Sequence, residues 1–472
     1  MTNPTNSIIA TGVDLGSSEF RMTYSDDGQA KEISMPAVAG SDGKNLIVGK
    51  EALQQAAIIP DHVVVNPKQL EFTASENELM NNKHKLPYKL VVGKDERLRV
   101  DLPCNGRVIS YYPGGFIGSI LREMKKESQG PSGKKTPITD AVISVPDYAT
   151  ELQKNHVHCS GMSAGFNTKV VEESVLAVTY HGLDEDDAVK NTAVVHLGQT
   201  LTASIVSKND GELTIADYIH KDNSCANRIY KDFEKRHAPE LNKLYGINIL
   251  EYDKPNYVAP DAKSVTVDNK RKEYLVDKSF PDSNMVRRKH QLRQLIFNGV
   301  NGALPLLVEG KTATIEVNFE DKVFSQTISR EYYKKFRKVI VNQVNKLFKD
   351  TVPARKFLKS DTDALVLLGG LAHDRKLVDM VGDSLNAIRK KMPPTDFPEK
   401  VVMKGAYALA DAITEGGRIS IPRPTTARRR EPDSSSPAVR VKRELPANEE
   451  LCFIKRKRFV RTALVVKKRS GY

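Results

Sequence analysis

Residues Ile8 to Tyr24, IIATGVDLGSSEFRMTY, organise the reading of this chain. An apolar strand leads into a tight turn at Asp14-Leu15-Gly16-Ser17-Ser18, and a second strand leaves through Phe20, Met22 and Tyr24. A glycine followed by two small hydroxyl residues lets several backbone N–H groups converge on one point, which makes an anion site. The hydroxyls add donors for phosphate oxygens. Asp14 at the strand end cannot touch a phosphate directly, because like charges repel; it makes sense there through a bridging Mg²⁺ and its waters. The same residues also suit an ordinary hairpin turn with a capping aspartate.

The architecture recurs. Thr192 to Val206, TAVVHLGQTLTASIV, is again an apolar strand, a polar turn after His196-Leu197-Gly198, and an outgoing strand. Self-similarity at this range predicts two related halves, each bringing one phosphate-facing hairpin. A third match, Ala364-Leu365-Val366-Leu367-Leu368-Gly369-Gly370, is a fully apolar strand ending in two glycines, the pattern that admits close approach of a nucleotide.

Between these landmarks the chain reads as mixed α/β. Turn residues and short apolar runs fill 31–50, a short helix covers Glu51 to Ile58, and a β-branched run at Val63-Val64-Val65 precedes Lys68. A lone lysine just beyond a strand is ordinarily a solvated surface charge. Phe116, Ile117, Ile120, Leu121 and Met124 fall at helical spacing within Pro113 to Glu127. A buried strand over Ala141 to Val145 is stopped by Pro146, and a helix follows over Glu151 to Ala164. Lys169-Val170-Val171 is a short strand that runs into Glu172-Glu173-Ser174 and a helix through Tyr180.

Composition narrows the function classes. The 472 residues are 39% apolar and 28% charged, an ordinary balance for a globular chain with two to three domains' worth of core. No run of eighteen apolar residues predicts a membrane span, and no secretory leader is apparent. Cys104, Cys159, Cys225 and Cys452 show no metal-ligand spacing and read as free thiols of a reducing compartment. The net charge of +13 is uneven: residues 423–472 hold 15 Lys/Arg against 5 Asp/Glu, leaving the remaining chain nearly neutral. Three basic clusters, 428–430, 455–458 and 467–469, suit nucleic-acid phosphate or nuclear import, or simply a solvated tail.

Taken together and in this order, the motifs resemble the ATPase domain of the 70-kDa heat-shock protein family, within the actin-like superfamily. The resemblance runs on through AVISVPDY (Ala141–Tyr148), KVVEESVLAVTYHGL (Lys169–Leu183), LLGGLAHDRKLVDMV (Leu367–Val381) and GAYALADAI (Gly405–Ile413), over roughly 8–418. It implies a two-lobed actin-like α/β fold with duplicated ribonuclease-H-like domains and a basic C-terminal tail. The expected divisions are 1–186 for lobe I, 187–385 for lobe II with an insertion at about 226–312, 386–418 for a returning helix, and 419–472 for the tail.

The same resemblance implies ATP or ADP with Mg²⁺ as cofactor. Asp14 looks like the metal-facing aspartate, acting through water, and Gly16, Ser17 and Ser18 like the first phosphate loop. Lys68 falls where the family orients the attacking water, and Glu173 where a glutamate reaches the metal's water shell. Gly369 and Gly370 match the adenosine-motif glycines, and Lys289 one lysine flanking the base. The second loop departs from the pattern. His196 stands where the family has an aspartate, only Gly198 remains of three glycines, with Gln199 and Thr200 after it, and Ala203 replaces a later aspartate. The glycine-rich loop expected near Asn223-Ser224 is missing, and His373 stands where an arginine stacks on adenine.

Because phosphoryl transfer is almost wholly positioning and charge stabilisation, these losses lead to the expectation of weak or absent hydrolysis. Three readings follow. The first is an atypical chaperone or cochaperone that lacks a peptide-binding sandwich, works with a J-domain partner, and resembles ribosome-bound members of the family, its tail against RNA. The second is an active ATP-hydrolysing chaperone. The third is a nuclear or RNA-associated interaction protein that reuses the fold. A cytoplasmic location, extending to the nucleus, is expected, with no membrane partner.

Overall fold

Two five-stranded sheets carry the same strand pattern. In the first the order is Asn167–Glu172, Ile138–Val145, Ile9–Leu15, Glu19–Asp26, Gln29–Pro36. In the second it is Lys390–Lys391, Ala364–Leu368, Asn191–Leu197, Leu201–Asn209, Glu212–Lys221. Each central strand has two parallel strands on one side and an antiparallel hairpin on the other. This is the duplication that the two sequence landmarks predict, and it gives an α/β fold of the actin-like ATPase type. The computed structural model describes residues 9–414, except 27, 74–85, 94, 96, 131–137, 223, 252–282, 351–361, 386–389 and 392–396. The basic tail, the 419–424 junction and Asn223 lie outside the described residues.

The local chemistry explains most elements. Ala364–Leu368 is buried at every position, because helices cover both faces of a parallel strand, and an all-apolar run is then the sequence that fits. Ala313–Phe319 alternates buried and exposed residues, as a hairpin strand with one wet face should. The helix Pro113–Gln129 starts on a proline at its first position and ends at Gly130 with positive φ; Phe116, Ile117, Ile120, Leu121 and Met124 are all fully buried. Thr150 caps Glu151–Ser163 through a capping box with Gln153. The strand Gln29–Pro36 differs from the turn-rich reading of 31–50. It is an edge strand held by its backbone ladder to Glu19–Asp26, with mostly exposed side chains, so its apolar signal is weak.

The helices Glu173–Tyr180 and Val401–Thr414 lie between the two sheets, in a core that draws Ala10 and Val142 from the first and Val194, Val206 and Val366 from the second. Two glycines set how closely this seam closes. A Cβ at Gly405 would stand 2.0 Å from the Leu176 carbonyl oxygen, and one at Gly12 would stand 2.1 Å from the Tyr407 nitrogen. Backbone meets backbone at both places, so no side-chain rotation can relieve a larger residue. Gly405→Ala should therefore lower stability by about 1–3 kcal/mol or more in urea denaturation. Gly115→Ala, where a Cβ meets nothing within 4 Å in a helix interior, should be neutral or stabilising by up to about 1 kcal/mol. Equal stability of the two variants would refute this account of the seam.

Candidate functional site

Asp14 and His196 occupy the same place in the duplicated scaffold. Each is the penultimate residue of a seven-residue central strand, Ile9–Leu15 and Asn191–Leu197, just before its loop. Asp14 is buried. Its Oδ1 accepts from Ser144 Oγ at 3.1 Å, and its Oδ2 stands 3.7 Å from Arg21 Nη1. The Ser144 hydroxyl also accepts from Leu15 N at 3.0 Å, which ties the loop's root to the neighbouring strand. Burial pushes the Asp14 carboxyl above its usual range; the Lys68 ammonium opposes this, Glu173 adds to it, and Arg21 and His196 offset it in part.

Lys68 is not a solvated surface charge. It sits on the six-residue helix Pro67–Phe72, started by Asn66, whose side chain accepts from Gln69 N, and by Pro67 at the first helical position. The helix buries Lys68 to 7% exposure and delivers its ammonium 2.5 Å from Glu173 Oε1. The other oxygen, Glu173 Oε2, is 3.0 Å from His196 Nδ1. An ionised carboxylate only accepts, so the imidazole donates its Nδ1–H, and the ring's Nε2 turns toward Gly198, 3.2 Å from where a Cβ there would stand. Burial works against ionising Glu173, but Lys68 and then the His196 hydrogen bond outweigh it and hold the carboxyl well below the usual range.

The two loops touch. Gln199 Nε2 donates to Ser18 Oγ at 2.7 Å, so a second-loop side chain occupies a first-loop hydroxyl. The first N–H groups of the helix Cys225–Tyr245 turn inward onto the second loop. Ala226 N donates to Gly198 O at 3.3 Å and Asn227 N to Gln199 O at 3.0 Å, while Ser224 Oγ accepts from Leu201 N. Donors that could face an anion at a helix start are thus used within the protein. The glycines keep tight backbone geometry. A Cβ at Gly16 would stand 2.3 Å from Glu19 O, and Gly369, at φ +97°, packs on Leu197 so closely that a Cβ would stand 2.7 Å from its carbonyl carbon. Gly370 has open space around its Cβ position. His373 pairs with Glu399. Lys289 is buried on the helix Ser283–Val308 and donates to Glu251 O at 2.7 Å.

Asp147 is the residue that reading the sequence passed over. Its Oδ1 accepts from Ser174 N at 3.0 Å, and its Oδ2 accepts from Ser174 Oγ and Ser204 Oγ, each at 2.5 Å. Ser204 lies on the second sheet, so the carboxyl joins the two halves; beside it the Tyr148 ring packs 4.2 Å from the His220 ring. Burial, reinforced by the nearby Glu173 charge, pushes the Asp147 carboxyl up to about 6. The one signal in the sequence was its position directly after a strand-ending proline, which says nothing about a partner 57 residues away.

The duplicated sheets, the helices between them and a loop from each half define the class: an actin-like α/β ATPase fold. Residues 10–223 match the family model described as Hsp70 protein. The chain is 24% identical over 426 residues to the chaperone protein DnaK of Akkermansia muciniphila, an alignment that takes in 86% of this chain and 59% of the relative. The similarity to the Hsp70 family is thus carried by residues 10–223 and by this alignment, and the chain spans about three fifths of the length of the curated relative it matches.

The Asp147 junction has a pH signature. The folded protein favours the protonated carboxyl, so the group's contribution to stability is full below its ordinary value near 3.8 and is lost as pH rises through about 6. The loss is on the order of 2–3 kcal/mol. Asp147→Asn keeps an acceptor for Ser174 N and removes the titration, so its stability should vary less with pH across this window in urea melts at several pH values. An unaltered pH slope in the variant would remove Asp147 as the source.

Proposed function

We propose that this Hsp70-like chain binds ATP or ADP in the cleft between its two sheets and hydrolyses ATP slowly or not at all. One observation carries this reading: both oxygens of the Glu173 carboxylate are taken, one by Lys68 and the other by His196. The first loop suits a phosphate chain. Gly16 lies where a side chain would collide, Ser17 and Ser18 carry hydroxyls, and Gly369 and Gly370 leave the backbone bare on the adenosine side. Asp14, Ser144 and Arg21 support the root of that loop.

The metal fits less well. Mg²⁺ supplies neutralisation of the charge that develops on transferring phosphates. Its water shell needs carboxylates as acceptors, whereas Asp14 and Glu173 face a guanidinium and an ammonium, and His196 stands where the family's aspartate would be. Among the described residues no group of three His, Cys, Asp or Glu side chains could hold a metal ion. Lys68, engaged on Glu173, serves as a structural cation of the cleft in this arrangement.

Within the family setting we propose a chaperone-system role with a J-domain cochaperone as partner, in the cytoplasm. The excess of ten positive charges over residues 423–472 supports a second partner class, an RNA phosphate backbone such as that of the ribosome, and import into the nucleus as a further use of the same charge. No described helix is long and apolar enough to cross a membrane.

Calorimetric titration with ATP and ADP should give dissociation constants below about 1 mM, the affinity equivalent of roughly 4 kcal/mol. Phosphate release should stay at or slightly above the protein-free background with or without a J-domain protein. Brisk turnover that disappears in Asp14→Asn would sink the reading. Lys68→Ala, which strands buried Glu173 without its cation, should cost about 3–5 kcal/mol of stability; a variant as stable as the parent would show that Lys68 is not the structural cation described.

A further inference from the structure

We infer that the nucleotide enters this cleft without Mg²⁺, so that the ligand is the free nucleotide and the metal adds nothing to its affinity. This inference rests on the nucleotide-binding reading above. The carboxylates of the cleft decide it. A hydrated Mg²⁺ is held in such a site by negatively charged oxygens that accept from its waters. Three carboxylates lie around the crossing of the two sheets, and protein donors engage each of them. Lys68 Nζ and His196 Nδ1 take the two oxygens of Glu173. Ser174 N, Ser174 Oγ and Ser204 Oγ close around Asp147. Ser144 Oγ donates to one oxygen of Asp14, and Arg21 stands 3.7 Å from the other.

The charge balance points the same way. Lys68 and Arg21 offset Glu173 and Asp14, and the position equivalent to Asp14 in the second half holds an imidazole with no negative charge to offer. A divalent cation brought among these groups meets an ammonium and a guanidinium as readily as it meets carboxylates. Its attraction to the acids is cancelled by repulsion from their partners. A phosphate chain has other contacts to make. Ser17 and Ser18 are accessible, and the Gln199 amide that now rests on Ser18 is a neutral donor that can turn to a phosphate oxygen. Affinity then comes from neutral donors and backbone, which do not require the ligand to carry a cation.

The test is the coupling between metal and nucleotide, measured by calorimetry with ADP in excess Mg²⁺ and again in excess EDTA. For the full chain the dissociation constant in EDTA should be equal to, or tighter than, that in Mg²⁺, and tightening by Mg²⁺ of more than about threefold would overturn the inference. Binding only in Mg²⁺ overturns it while leaving the nucleotide reading intact. No binding in either buffer overturns both. His196→Asp, which returns an acid to the second loop, should bind ADP more tightly in Mg²⁺ than in EDTA by about tenfold. Should that variant fail to fold, the parent chain's pair of titrations decides alone.

Discussion

A single carboxylate, that of Glu173, stands at the meeting point of three separately positioned elements. The helix that carries it lies between the two sheets, Lys68 reaches it from the short helix Pro67–Phe72, and His196 reaches it from the central strand of the second sheet. A buried carboxylate is tolerated only when it is paired and hydrogen-bonded, since each ion removed from water costs several kcal/mol. Here both oxygens are satisfied, and the cost is met by one cation and one neutral-capable donor. The arrangement holds the halves of the cleft together, and it withdraws from the cleft the negative charge that a metal would need. The joining of the halves and the charge balance of the cleft thus depend on one contact.

The duplication makes that loss visible. Both sheets present the end of a central strand and a following loop to the same cleft, so the halves can be compared position by position. In the first half the strand ends in an acid supported by Ser144 and Arg21, followed by a glycine and two serines. In the second, an imidazole, one glycine and a glutamine fill the same places, and the adjoining helix turns its first N–H groups onto the loop. The scaffold is preserved because its glycines and apolar strands are needed for packing, as at Gly12, Gly369 and Gly405. The side chains of the two loops differ while the strands that carry them match. Asp147, bonded to Ser174 and to Ser204 of the other sheet, adds a polar tie across the same seam without touching the first loop.

Much of this was legible in the chain itself, because burial on both faces of a strand and the pitch of an amphipathic helix leave periodic apolar patterns. Ala364–Leu368, the paired hairpins, the helix Pro113–Gln129 and the substitutions at His196 and Gln199 could all be read there. The strand Gln29–Pro36 could not, since an edge strand is held by backbone hydrogen bonds and needs no apolar side chains. What only the tertiary structure decided was the partner of each charge. Lys68 and Glu173 are 105 residues apart, and Asp147 and Ser204 are 57 apart. Charge pairing depends on distances of a few ångströms set by how sheets and helices pack, and no local pattern in a sequence encodes that distance.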